Sequence, residues 1–225
     1  MIWLRPAFYW IIKTLAWPVT RIYVRLGVEG AARVPRRGGC IVVANHVSYA
    51  DPVVLGSACP RRIIFMVTEP IYRLLRLRWF YYMMGTIPVL PDRPDPRAMK
   101  AALKTLRDGG AVGIFPEGQR MPDGRLGEGK AGVALLAARS GAPVVPAGIL
   151  GAHQVMPVGS SFPRPRRVKV LFGEPMNFPL GDGRRPPRER LDGFADQVMG
   201  AIAELVGAEA PMVAAPPDTL QRTST

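Results

Sequence analysis

Two short blocks of this chain carry side chains suited to moving protons and binding anions. In IVVANHVSYADP, residues 41–52, His46 is followed after four residues by Asp51. An unperturbed imidazole titrates near ~6.5, so a neutral histidine accepts a proton from a hydroxyl at cytosolic pH. A carboxylate on its Nδ1–H selects the tautomer that leaves Nε2 free and steadies the cation that forms. On a continuous helix two residues five apart point about 140° away from each other, so the pair needs a strand end, a turn and a helix start. Asp51 before Pro52 also reads as an N-cap followed by Pro at the first helical position. Both roles are compatible if each carboxylate oxygen serves one of them. Ser48 and Tyr49 lie between the pair but lack a nucleophile-elbow setting, so the expected nucleophile is a substrate hydroxyl.

FPEGQR, residues 115–120, is the second block. A turn at Gly118 would let backbone N–H groups approach an anion, and Arg120 can offer phosphate two N–H donors. Glu117 would position Arg120 or accept from a substrate hydroxyl. Taken alone, the block reads more simply as a polar turn with a surface ion pair.

These blocks must be held by the elements around them. Residues 38–44 form a continuous apolar run, the pattern of a strand buried on both faces, and deliver Asn45 and His46 to its carboxyl end. Helical spacing returns over 52–57, with a strand at 61–68. Residues 70–84 read as one helix or two short ones, bearing Arg73, Arg76 and Arg78. GTIPVL is a short strand closed by PDRPDP. A helix over 98–107 is stopped by Asp108-Gly109-Gly110. A strand begins at 111 and leads into FPEG; helix 130–140, strands 142–150 and 168–175, and an amphipathic helix over 188–207 follow. Alternating strands and helices imply an α/β fold, a layered, largely parallel sheet flanked by helices. His153, in a loop after a strand, receives no role.

At 225 residues the chain suits one domain with appendages. Lys and Arg number 30 against 17 Asp and Glu, a net charge of +13 that favours an anionic partner. Cys40 and Cys59 show neither metal-ligand nor disulfide spacing and are expected in the core, in a reducing cytosolic setting. Residues 1–27 are aromatic and aliphatic but broken by Arg5, Lys13, Arg21 and Arg25, so no uncharged run reaches the length of a membrane span or signal sequence. At helical spacing Leu4, Phe8, Ile11 and Leu15 share one face, Arg5, Tyr9 and Lys13 another, and Trp3, Trp10 and Trp17 lie along a flank. This is the build of an interfacial helix, its rings at headgroup depth and its cations meeting lipid phosphate. Packing on its own domain is the alternative. Pro18 is expected to separate this helix from a second over 19–27. The expected division is 1–27 amphipathic membrane-associating helices, 28–207 the domain, and 208–225 a disordered Pro/Ala/Thr-rich tail.

Asn45-His46 with Asp51, then FPEG with Gln119-Arg120, then VPAGI at 145–149, in that order, resemble the glycerolipid acyltransferase family, and within it the bacterial 1-acyl-glycerol-3-phosphate acyltransferases. The resemblance spans about residues 1–205. It implies His46 as general base, Asp51 as its orienting carboxylate, and Glu117, Gly118 and Arg120 as the block that binds the acceptor's phosphate. GTIPVLPDR, 85–93, matches a further phosphate-binding block with Arg93 in the Arg position, although Leu90-Pro91 lengthens the spacing. VPAGI matches an acyl-chain or structural motif, and the N-terminal helices match a two-helix membrane anchor. The implied reaction passes an acyl group from acyl-CoA or acyl-carrier protein to the sn-2 hydroxyl of lysophosphatidic acid at the cytoplasmic face of the membrane, with no metal and no cofactor. Another lyso-lipid, such as a lyso-ornithine lipid, is the alternative acceptor. The charge also fits a noncatalytic basic module on a membrane or nucleic acid, but no RNA-binding aromatic motif or helix-turn-helix signature is present, and no nucleic-acid partner is expected.

Overall fold

The computed structural model describes residues 4–73, 78–91, 93–121, 126–156, 162–179 and 186–207. Trp3, Arg76 and the tail 208–225 lie outside them. Seven strands form one sheet: β1 (Gly27–Glu29), β2 (Cys40–Ala44), β3 (Ile63–Thr68), β4 (Ile87–Val89), β5 (Ala111–Ile114), β6 (Val144–Leu150) and β7 (Lys169–Phe172). Their order is β1-β7-β6-β2-β5-β3-β4, and every neighbouring pair is parallel except β6 with β7. The helices are α1 (Arg5–Pro18), α2 (Asp51–Ala58), α3 (Glu69–Tyr72), α4 (Arg78–Met84), α5 (Pro96–Arg107), α6 (Gly132–Ser140), α7 (Ala152–Val155) and α8 (Arg188–Val206).

β2 lies at the middle of the sheet, and all five of its residues are buried. Cys40, Val42 and Ala44 project into the core that includes Leu55 of α2 and Phe65. Ile41 and Val43 project into the opposite core with Ala102, Leu136, Phe194 and Ile202. Burial on both faces accounts for the uninterrupted apolar run, since neither parity of the strand meets water. The cysteines are free and buried, and burial pushes the Cys40 thiol up to about 11.

Several expectations are corrected. α5 starts at Pro96 rather than 98, because Asp95 caps it by accepting from the backbone N–H groups of Arg97 and Ala98 at 3.0 Å. His153 sits on α7, not in a loop. α1 does end at Pro18, but the second segment is a π-helical turn over Val19–Tyr23 that continues directly from it, not a helix reaching 27. The Thr20 hydroxyl lies 3.0 Å from the carbonyl oxygens of both Ala16 and Trp17, back-bonding to the last turn of α1.

For α1 the correction concerns its cations, expected against lipid phosphate. Its cations point inward: Arg5 Nε donates to the Tyr82 carbonyl at 2.7 Å, and Lys13 Nζ donates to the Cys59 carbonyl. Between them Tyr9 is buried, its hydroxyl accepting from Ile63 N–H, and burial raises its pKa to about 12. Burial likewise lowers the pKa of Lys13. Leu4, Trp10, Ile11, Leu15 and Trp17 are exposed, as are Val19 and Ile22 beyond them. The helix therefore packs on its own domain through Arg5, Tyr9 and Lys13, with Phe8 against the rings of Trp79 and Phe80, and turns Leu4, Ile11 and Leu15 outward, the reverse of a helix that serves only the core. No helix among the described residues is long and apolar enough to cross a membrane.

Candidate active site

β2 and β5 are parallel neighbours, with Val43 opposite Ile114, so their carboxyl ends open on the same edge of the sheet. β2 delivers Asn45 and His46 there, and β5 delivers Phe115, Pro116 and Glu117. β4, joined through β3, brings the loop of Arg93 to that edge as well. In open parallel sheets this edge is where ligand crevices form.

Asn45 is buried and fixed by reciprocal hydrogen bonds. Its Nδ2 donates to the Ile149 carbonyl at 3.0 Å, and its Oδ1 accepts from Ile149 N–H at 2.7 Å. The VPAGI strand thus pins the residue before the histidine. His46 Nδ1 lies 2.8 Å from Asp51 Oδ2. The same oxygen accepts from the N–H groups of Val47 and Ser48 at 2.7 Å each, so the loop between the two residues is wound around the carboxylate. Asp51 is fully buried in the first turn of α2, where the helix dipole favours its negative charge.

The expected cap is corrected here. Asp51 is already helical, the cap position falls on Ala50, and no side chain caps α2. The carboxylate turns back onto the 46–48 loop instead of forward onto the helix. Oδ1 makes no hydrogen bond with the described residues, so the two functions are not divided between the two oxygens.

Glu117 differs from expectation too. It is buried and does not pair with Arg120: Oε1 accepts from His46 N–H at 2.8 Å and Oε2 from Gly127 N–H at 3.1 Å. Burial raises its pKa, opposed by those two hydrogen bonds. Met121 N–H donates to the His46 carbonyl at 2.7 Å, tying the two blocks together a second time. Gly118 has φ +70°, so a side chain there would be strained by the backbone, while the Lys130 chain end 2.9 Å from a Cβ could swing aside.

The imidazole stacks on Phe115 with centroids 4.3 Å apart and planes at 21°. His46 and Arg120 line one cavity of 420 Å³ whose other walls include Tyr9 and Ile12 of α1, Tyr49, and Phe65. Arg120 lies over the Tyr49 ring, 3.4 Å from its centroid. Arg93 is not in that cavity. It lines an adjoining one of 840 Å³ with Lys130, Met99 and Leu135; Gly118 and Phe115 border both. Asp95 Oδ2 accepts from Leu90 N–H at 3.0 Å, which closes the loop bearing Arg93 onto the α5 cap.

Sequence reading missed the Asn45 clamp, the Phe115 stack, the Tyr49 contact and the Asp95 closure. Only the last had a local signal, an Asp-Pro step opening a helical repeat. The others depend on which side chains meet across the sheet edge.

The site combines a histidine held by a buried carboxylate, an apolar cavity against that histidine, and an arginine on the cavity wall. Such a set can deprotonate a hydroxyl on a molecule with an apolar body and an anionic group. Comparison with known proteins agrees with this class. The chain belongs to the acyltransferase family, whose model matches residues 25–150. It is 32% identical over 186 residues to the chloroplastic 1-acyl-sn-glycerol-3-phosphate acyltransferase LPAT1 of Arabidopsis thaliana, covering 79% of this chain and 51% of that protein. It is 34% identical over 163 residues to BAT2 of Brassica napus, a chloroplastic protein of the same name, covering 69% and 46%. The chain spans about half the length of these two relatives. The Bacillus subtilis 1-acyl-sn-glycerol-3-phosphate acyltransferase is 28% identical over 190 residues, 81% of this chain and 92% of that one. The fold matches the crystal structure of the 1-acyl-sn-glycerophosphate acyltransferase PlsC from Thermotoga maritima with a TM-score of 0.70 at 24% identity, over 89% of this chain and 79% of that chain.

Proposed function

We propose that this protein transfers a fatty acyl group from an acyl thioester, acyl-CoA or acyl-carrier protein, to the sn-2 hydroxyl of 1-acyl-glycerol-3-phosphate, giving phosphatidic acid. The observation that carries the reading is the His46–Asp51 pair at 2.8 Å, its imidazole on the wall of an apolar cavity that Arg120 also lines. The names of the relatives support the acceptor.

In this reading Asp51 accepts from Nδ1–H, which leaves Nε2 to take the proton from the acceptor hydroxyl. The oxygen attacks the thioester carbonyl, the carbon–sulfur bond breaks, and the thiolate leaves with the proton from the imidazolium. The buried Asp51 carboxylate stabilises that imidazolium while it lasts. Arg120 holds the acceptor phosphate from the His46 cavity, Arg93 is a second cation that reaches it from the adjoining cavity across Gly118, and Glu117 fixes the turn's position relative to His46. Residues 1–27 rest on the anionic cytoplasmic surface of the membrane without spanning it, and residues 28–207 form the catalytic domain. The outward apolar face of α1 supports that placement.

The test is an acceptor panel with purified protein and an acyl thioester. Lysophosphatidic acid should be turned over with formation of phosphatidic acid, and His46→Ala should abolish transfer without loss of vesicle binding. Efficient acylation of lyso-ornithine lipid with no turnover of lysophosphatidic acid would overturn the acceptor assignment.

A further inference from the structure

Tyr49 is exposed by 59%, yet its ring lies against the guanidinium of Arg120 at 3.4 Å. The two residues come from different blocks. Tyr49 stands in the turn between His46 and Asp51, and Arg120 follows the β5 turn. Among the described residues, the contact of the Arg120 guanidinium is with that ring, and no hydrogen bond or ion pair of it is seen. Its packing comes from the aromatic face.

Guanidinium over a ring has a particular chemical consequence. The ring covers one face of the planar cation and attracts it electrostatically, but leaves the in-plane N–H edges unoccupied. Those edges are what a phosphate accepts from in a two-bond fork. An unsupported arginine on a turn samples many rotamers and loses that freedom on binding; a stacked one has already lost part of it. An ion pair with Glu117 would instead occupy the edges, and Glu117 is committed to backbone amides.

We propose that Tyr49 is a positioning residue for the acceptor's phosphate, acting through Arg120. Its aromatic face orients the guanidinium so that the donor edges meet the anionic group, and its hydroxyl is dispensable for that purpose. The turn bearing Tyr49 is wound on Asp51 through the Val47 and Ser48 N–H groups. The distance between the base and the anion site is therefore set by one short segment. The inference rests on the reading of Arg120 as a phosphate-binding cation.

The experiment measures initial rates in mixed micelles with lysophosphatidic acid as the varied acceptor, for wild type, Tyr49→Leu, Tyr49→Phe, Arg120→Ala and the Leu/Ala double variant. Tyr49→Leu keeps apolar bulk and removes the ring face, and because Tyr49 is exposed the change costs no core packing. The expected result is a KM about five- to tenfold higher for Tyr49→Leu with kcat within twofold, and recovery to near the wild-type KM in Tyr49→Phe. The double variant should show no larger KM than Arg120→Ala, since a residue acting through Arg120 has nothing to add once it is gone. A raised KM in Arg120→Ala beside an unchanged KM in Tyr49→Leu overturns the role of Tyr49 alone. Equal damage from Tyr49→Phe and Tyr49→Leu also overturns it, by assigning the effect to the hydroxyl. An unchanged KM in Arg120→Ala overturns the phosphate reading and this inference with it.

Discussion

The backbone N–H of His46 donates to Oε1 of Glu117 at 2.8 Å, and the other oxygen of the same carboxylate accepts from Gly127. One buried side chain therefore joins the end of β2, the turn after β5 and the loop that follows. Replacing Glu117 by Ala should leave two N–H donors without a partner, at about 1–3 kcal/mol each, and lower kcat/KM together with the melting temperature. Its pH dependence has a definite sign. A carboxyl whose folded pKa is raised above the ordinary 4.5 adds most to stability below that value, and the contribution falls as pH rises through the folded pKa. The stability of wild type minus that of Glu117→Gln should fall across that window, as read from thermal melts in matched buffers.

Asp51 Oδ2 serves the imidazole and two backbone donors at once. Asp51→Asn retains an acceptor for the loop but removes the charge opposite the imidazolium and changes the hydrogen bonding that sets the tautomer. The expected outcome is a fall in kcat of order 10²–10⁴ at saturating substrates. Asp51→Ala should lose comparable activity and more stability, and denaturant unfolding separates the two variants.

Asn45 makes no appeal to chemistry of its own. Asn45→Ala breaks both bonds to Ile149 and should destabilise by about 1–3 kcal/mol. Asn45→Asp keeps an acceptor for Ile149 N–H but faces the Ile149 carbonyl with a charge, and should be worse. Chemical denaturation curves decide the order.

Asp95 holds the α5 cap and Leu90 N–H together. Asp95→Ala should cost about 1 kcal/mol of stability and raise KM for lysophosphatidic acid more than it lowers kcat. Hydrogen bonds from Ala98 and its neighbours lower the pKa of Asp95, so its stabilising effect is present above the ordinary value of 3.8 and is lost as pH falls through the folded pKa. The difference between wild type and Asp95→Ala should accordingly shrink in acid.

The membrane contact proposed for α1 predicts an asymmetry between its faces. Ile11→Glu with Leu15→Glu should sharply reduce co-sedimentation with anionic vesicles while leaving the fold intact, since both positions are exposed. Lys13→Gln should leave vesicle binding nearly unchanged and lower thermal stability, because that cation serves the Cys59 carbonyl. Loss of binding in Lys13→Gln alone would place the lipid contact on the opposite face.

The layered architecture can be read from the sequence because β2 is buried on both faces and its neighbours alternate with helices, leaving a pattern that needs no tertiary knowledge. Motif spacing likewise marks His46, Asp51 and Arg120. It does not show where Asp51 points: an Asp-Pro helix start looks the same whether the carboxylate turns forward to cap or backward to hold a histidine. Nor does helical periodicity say which face of α1 is inward. It separates Leu4, Ile11 and Leu15 from Arg5, Tyr9 and Lys13, but the inward face is chosen by partners far along the chain, the carbonyls of Tyr82 and Cys59 and the N–H of Ile63. The three-residue strand β1 is too short to carry a pattern at all.

Tyr9 and Ile12 of α1 wall the cavity beside His46, while Ile11 and Leu15 of the same helix face away from the protein. A helix with its side chains is only about 10–12 Å across. On a bilayer, hydrocarbon on one side of α1 is separated from the reaction cavity by that single width. Withdrawing an acyl chain through water costs about 0.8 kcal/mol for each methylene exposed, a toll that mounts quickly along a fatty chain. In the membrane placement proposed above, an acyl chain that reaches the cavity past α1 rather than through water is spared that cost.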